Sequence, residues 1–233
     1  MEVQPKQKIA LVGYNGAGKS TLINLILRLY DPEQGSITYN QKNICDYNIK
    51  DYRSKYGIVF QDINVYAATI GQNIAMDTEV YSDAEMQNIM NLLHLREKID
   101  NYKSGFNTQL THELSDSGEM LSIGQSQCLA LARVFINQQK QLYILDEPTS
   151  ALDPIAEEEI FGTINSYLED KTVIYISHRF SASKIADKIY FMENGRIIEQ
   201  GTHDELIRQK GKYADMFNLQ AKYYKDDSSE CIG

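Results

Sequence analysis

The stretch Gly13-Tyr14-Asn15-Gly16-Ala17-Gly18-Lys19-Ser20-Thr21 directly follows the apolar run Ile9 to Val12 and fits the pattern G-x-x-x-x-G-K-[ST]. These residue types in this order hold polyphosphate. Glycines let main-chain N–H groups curl round the α- and β-phosphates, and a helix opening at Lys19 turns its positive end toward the same anion. The Lys19 ammonium reaches the β- and γ-phosphates, and the Ser20 hydroxyl is a ligand for Mg2+. A glycine-rich turn without a ligand is the plainer alternative; the strand-loop-helix setting speaks against it.

A second constellation is Leu142-Tyr143-Ile144-Leu145-Asp146-Glu147, an apolar strand that ends in two carboxylates. In an α/β sheet this places both acids at the carboxyl edge, where ligands bind. With a nucleotide there, Asp146 holds the Mg2+ shell and Glu147 polarises the attacking water. Without one, the pair is a solvated strand end before a turn at Pro148. Further back, Ser122 and Gln125 form an S-x-x-Q capping box for a helix running through Cys128 to Ile136. That helix end aims a hydroxyl, N–H groups and a positive dipole at whatever lies before it.

The elements that must position these groups follow from periodicity. Ile9 to Val12, Ile58 to Phe60, Leu142 to Leu145 and Val173 to Ile176 are continuously apolar, as parallel strands covered on both faces require. Amphipathic stretches Lys19 to Leu29, Ile155 to Leu168 and Phe180 to Ala186 alternate with them, which predicts a β-α-β core. Asn194-Gly195, between Lys188 to Met192 and Arg196 to Gln200, predicts a hairpin. From Asp62 to Val134 helix signals replace strand signals, among them the capping box Ser82 to Glu85 opening a helix over Asp83 to Leu95. The expected domains are therefore a discontinuous core, 1–61 and 135–233, and an inserted helical subdomain, 62–134.

Composition narrows the partners. A chain of 233 residues, 42% apolar and 24% charged, with mean hydropathy −0.41, is neither fibrous nor disordered and buries a core without disulfides. Cys45, Cys128 and Cys231 have neither metal-site spacing nor an even count, which points to a reducing compartment. The net charge of −9 disfavours nucleic acid, whose backbone needs a basic stripe. No run approaches the roughly 20 apolar residues of a membrane span, and the first residues have no signal-peptide core.

Taken together, these motifs resemble the nucleotide-binding domain of ATP-binding cassette transporters, over nearly the whole chain. Leu121-Ser122-Ile123-Gly124-Gln125 is similar to that family's signature LSGGQ, with isoleucine at the third place. The resemblance implies a P-loop NTPase core of α/β class with a parallel sheet and an inserted all-helical subdomain. It implies ATP and Mg2+ as cofactors, held by Gly13, Asn15, Gly16, Ala17, Gly18, Lys19, Ser20 and Thr21 from one copy. Ser122, Gly124 and Gln125 would come from the second copy in a dimer, most simply a homodimer. Gln61 resembles the glutamine that links Mg2+ and water to the helical subdomain, and Ser20, Gln61 and Asp146 would share the metal. Ser150-Ala151-Leu152-Asp153 matches the segment that crosses the dimer interface, although Asp153-Pro154 is also a good helix start. His178, in Ser177-His178-Arg179, matches the switch histidine that contacts the γ-phosphate and positions Glu147 and water.

The run Gly195 to Leu206 resembles exporters, and Thr202 with Glu205 is also a capping box. The implied function is ATP hydrolysis that drives export through separate transmembrane domains, at the cytoplasmic face of the membrane. Thr108 to Gly118 departs from the exporter pattern T-x-x-G-E-x-G and is closer to some peptide-type exporters. Family members carry an antiparallel segment upstream with an adenine-stacking aromatic. The chain starts 12 residues before Gly13, so those strands are expected to be largely missing, as in a fragment of a fused permease-ATPase. Competing functions are a soluble cassette ATPase of DNA repair or translation, for which a more basic chain is expected, and a non-hydrolysing nucleotide-gated module, which has no use for Glu147 and His178.

Overall fold

The computed structural model describes residues 1–76, 80–113, 117–177 and 180–227. In chain order the elements begin with β1 (Lys8–Val12), α1 (Lys19–Ile26), β2 (Thr38–Tyr39), β3 (Lys42–Asn43), α2 (Ile49–Arg53) and β4 (Tyr56–Val59). The helices α3 (Ile70–Ile74), α4 (Asp83–Leu92), α5 (Arg96–Asp100) and α6 (Ile123–Phe135) follow. Then come β5 (Leu142–Asp146), α7 (Pro154–Tyr167), β6 (Thr172–Ile176), α8 (Phe180–Ile185), β7 (Lys188–Glu193), β8 (Arg196–Gly201), α9 (His203–Gln209) and α10 (Lys212–Asp227). A six-stranded sheet has the order β4-β5-β6-β1-β7-β8. The chain divides into two compact units, Met1–Tyr56 with Leu142–Ile144 and Asp170–Gly233, and Gly57–Gln141 with Leu145–Glu169.

In the first unit β1 runs parallel to both its neighbours, with Ile9 opposite Ile174 on β6 and Ala10 opposite Ile189 on β7. Strands covered on both faces need apolar side chains on both, and Ile9, Ala10 and Leu11 are fully buried. On one side Ala10, Val12, Ile189 and Phe191 pack against Leu206, Tyr213 and Met216. The expected hairpin is present: β7 and β8 pair antiparallel, and Asn194 and Gly195 both have positive φ, 50° and 74°, as a tight primed turn demands. The Glu199 carboxylate accepts from the Lys212 and Tyr213 amides at 2.7 and 3.0 Å and so caps α10.

Helix α1 is shorter than its amphipathic pattern, ending at Ile26 rather than Leu29. Arg28 takes the left-handed conformation (φ 52°), and the Arg28 and Leu29 amides fold back onto Leu25 O and Asn24 O at 3.0 and 2.8 Å. Glycine usually fills this place. Here the Arg28 guanidinium holds the bend by donating to Ile44 O and Tyr47 O at 3.2 and 3.1 Å.

Beside it lies a tyrosine cluster with ring centroids 4.9 Å apart for Tyr52–Tyr56 and 5.6 Å for Tyr47–Tyr52. Tyr56 OH donates to Tyr52 OH at 2.6 Å, and Tyr52 OH donates to Ile26 O at 2.7 Å. Burial raises the phenol pKa of both above the ordinary 10.0. An unfolded tyrosine therefore loses its proton at a pH where the folded one keeps it, so stability is intact below pH 10.0 and falls as pH rises above it. Thermal melts should be flat from about pH 8 to about pH 9.5 and drop beyond, with a shallower drop in Tyr56→Phe. Equal slopes in the two proteins would refute the cluster as the cause.

In the second unit α6 is buried almost all round, from Gln127 to Ala132 and again at Val134 and Phe135, and α3 and α4 pack on it. Complete capping boxes start α3 (Thr69/Gln72), α4 (Ser82/Glu85) and α6 (Ser122/Gln125). Between 62 and 134 the described residues carry no strand, only the isolated bridges Thr69–Gln109 and Leu110–Glu119. Helix α4 stops at Leu92, short of the expected Leu95, because His94 turns left-handed at φ 57°.

Candidate active site

The first unit carries the phosphate loop. Gly13 is required by close approach, since a Cβ there would stand 2.3 Å from Met192 O. Gly18 has φ 99°, and its Cβ would meet Gly195 Cα at 3.2 Å. The loop is thus closed against the β7–β8 turn, and Gly195 N donates to Ala17 O at 2.9 Å. Lys19 Nζ donates to Gly13 O at 2.7 Å and Tyr14 O at 3.2 Å, which holds the ammonium within the loop. Asn15, Gly16, Ser20 and Thr21 are exposed, and Ala17 is buried.

Helix α1 opens at Gly18 with no side-chain cap and no acidic residue in its first turn. Helices α4 and α9, by contrast, have both. Its first turn thus presents N–H groups that no side chain caps, as an anion site requires. The closed glycine cradle, the enclosed ammonium and the uncapped helix end together fit a triphosphate.

The second unit carries the acids and the signature. β5 ends at Asp146, and Glu147 follows in the left-handed region at φ 47°. Gln61 and Glu147, far apart in sequence, are brought together: Gln61 Nε2 donates to Glu147 Oε2 at 3.2 Å. Ser122 caps α6 through Gln125 N at 3.2 Å, and Gln125 Oε1 accepts from Ser122 N at 2.9 Å, so the plain capping box exists alongside any role toward a ligand. Ile123 is the first helical residue and is 75% exposed, so its β-branched side chain meets no backbone obstacle where the family has glycine. Gly124 packs closely, its Cβ position lying 2.8 Å from Leu152 Cδ2. Asp153 Oδ1 accepts from Ile155 N and Ala156 N, both at 3.0 Å, and caps α7. His178 lies outside the described residues.

Two features escaped the sequence reading. Gln127, on α6, is buried among apolar neighbours and bonded to the turn after Glu147. Arg133, lower on the same helix, donates to Asn73 O at 2.8 Å, Asn73 Oδ1 at 2.7 Å and Asn64 O at 2.7 Å, and lies over the Tyr66 ring. The fully buried Asn73 amide in turn donates to Tyr66 O at 2.9 Å and Thr69 O at 3.1 Å. This fastens the segment after Gln61 to α6. The available signal was a polar residue bordering or interrupting the apolar run Cys128 to Ile136.

The ABC transporter family model matches residues 1–150, and the chain belongs to that family. The chain aligns with one segment of longer relatives, among them two flippases and an ABC exporter. It is 39% identical, over 91% of its length, to the ATP-dependent lipid A-core flippase of Vibrio parahaemolyticus, and 39% identical over 94% to that of Idiomarina loihiensis. It spans only 36% and 37% of those two proteins. Among solved structures, a bacterial Atm1-family ABC exporter with ATP bound superposes with TM-score 0.86 at 34% identity, over 95% of this chain and 38% of that one. No helix among the described residues is long and apolar enough to cross a membrane.

Proposed function

We propose that this domain binds and hydrolyses Mg-ATP as one of two identical copies that sandwich two nucleotides, and that closure and hydrolysis drive export through membrane-spanning domains at the cytoplasmic face. Residues 62–134 would form the helical subdomain that presents the signature, and 1–61 with 135–233 the catalytic core. Mg2+ would supply Lewis-acid polarisation of the terminal phosphates. Gly16, Ala17 and Gly18 donate main-chain N–H bonds, Lys19 neutralises phosphate charge, and Asn15 and Thr21 border the same loop. Ser20, Asp146 and Gln61 would hold the metal. Glu147 accepts the proton of the attacking water, and His178 orients both. Ser122, Gly124, Gln125 and Asp153 complete the site on the other copy's nucleotide.

The observation that carries this reading is the bond between Gln61 Nε2 and Glu147 Oε2, which gives the acid at the strand end a partner fit to aim it at water. Mixing a Lys19→Ala chain with a Ser122→Arg chain tests the shared site. A mixed dimer keeps one place with both an intact loop and an intact signature, so ATPase activity should return to about half that of wild type. An isolated mixed dimer without activity would overturn the two-copy arrangement.

A further inference from the structure

We propose that Gln127 is a positioning residue that ties the orientation of Glu147 to the placement of the helix end bearing Ser122. The proposal rests on reading Glu147 as the residue that polarises water. Gln127 is 2% exposed, in a helix whose neighbouring positions Cys128, Leu129, Ala130 and Leu131 are also buried. A primary amide is costly there unless its polar atoms are bonded. Its Nε2 donates to Ser150 Oγ at 2.8 Å and reaches Glu147 O at 3.5 Å, while its Oε1 accepts from Ala151 N at 3.0 Å. All three partners lie in the single turn that follows β5.

That turn needs holding. Glu147 is left-handed at φ 47°, a conformation that a residue with a Cβ adopts only at a cost. Within the turn Ser150 N donates to Glu147 O at 3.2 Å and Leu152 N to Thr149 O at 3.1 Å. Gln127 adds a grip on the same backbone from a different element. Nearer the start of α6, the Gly124 Cβ position lies 2.8 Å from Leu152 Cδ2, so the first helical turn rests on the same loop. Moving the α6 end that carries Ser122 therefore either carries residues 147–152 with it or breaks these contacts. The Glu147 main chain is set by α6, and its carboxylate by Gln61.

ATP hydrolysis by the chain and Mg-ATP titration test this. Gln127→Met keeps length and removes the bonds, and should lower kcat about tenfold with KM and Kd within about twofold, as expected when only orientation toward the transition state is lost. Gln127→Glu keeps the acceptor for Ala151 N but loses the donor to Ser150 Oγ and Glu147 O and buries a charge, so it should lose at least as much kcat as Met, again with Kd for Mg-ATP within about twofold. A folded Gln127→Met with wild-type kcat, or a loss of Mg-ATP affinity in step with kcat, overturns the proposal. Should the Met variant not fold, Ser150→Ala removes the nearer partner at a half-buried position, and an unchanged kcat there overturns it equally. Glu147→Gln separates the two claims: wild-type turnover in that variant means that the reading of Glu147 itself has failed.

Discussion

Glu147→Gln should lower ATP turnover by about a thousandfold while leaving the affinity for Mg-ATP within a few-fold of wild type. The amide is isosteric and remains within reach of Gln61, whose Nε2 lies 3.2 Å from Glu147 Oε2. What it lacks is a basic oxygen to take the proton from water. The phosphate loop and Lys19 are untouched, so the bound nucleotide persists and the variant should collect as an ATP-bound dimer. Single-turnover hydrolysis beside size-exclusion chromatography in Mg-ATP measures both halves. Turnover at the wild-type rate would remove Glu147 from catalysis.

The second large effect is expected at Gly13. Alanine there would put a Cβ 2.3 Å from Met192 O, a main-chain atom within β7 that cannot swing aside. Gly16→Ala meets nothing within 4 Å and carries only the strain of φ 78°. Gly13→Ala should therefore cost about 3 kcal/mol or more against about 1 kcal/mol for Gly16→Ala, a melting-temperature loss of roughly 6–12 °C against roughly 2–4 °C. It should also abolish nucleotide binding, because the displaced loop no longer presents its N–H groups to one anion. Equal melting temperatures for the two variants would show that the loop relaxes more freely than the contact with Met192 allows.

Much of this architecture was legible before any coordinates. Gly13 to Thr21 announces its own shape, because glycine at set spacing and a lysine at a helix start have few other uses together. The strand calls for an apolar run on both faces, and β1, β5 and β6 fall where Ile9, Leu142 and Val173 placed them. Ser122 with Gln125 fixed the start of α6, and Asn194-Gly195 fixed the hairpin, since caps and primed turns are local chemistry.

What stayed hidden is non-local. Just past the ends of α1 and α4, Arg28 and His94 are left-handed, where a reader of sequence looks for glycine. Arg28 tolerates that conformation because of carbonyls at Ile44 and Tyr47, which no pattern near Arg28 foretells. Gln127 reads as one more polar residue on a helix face until the helix is seen to be buried all round. The tyrosines at 47, 52 and 56 show no periodicity of their own and acquire meaning only once folding stacks them.

The contact between the β7–β8 turn and the phosphate loop bears on the thermodynamics of ligand capture. With Gly195 N bonded to Ala17 O and Met192 O against Gly13, the loop takes its curled form as the sheet assembles. Ordering a slack loop at the moment of capture would cost about 1–2 kcal/mol of backbone entropy for each residue fixed. Here that entropy is lost during folding, in company with the burial of Phe191 and Ile189 that offsets it. An anion bound there would meet a loop already curled, and its gain in hydrogen bonding would appear as affinity with little of that ordering cost.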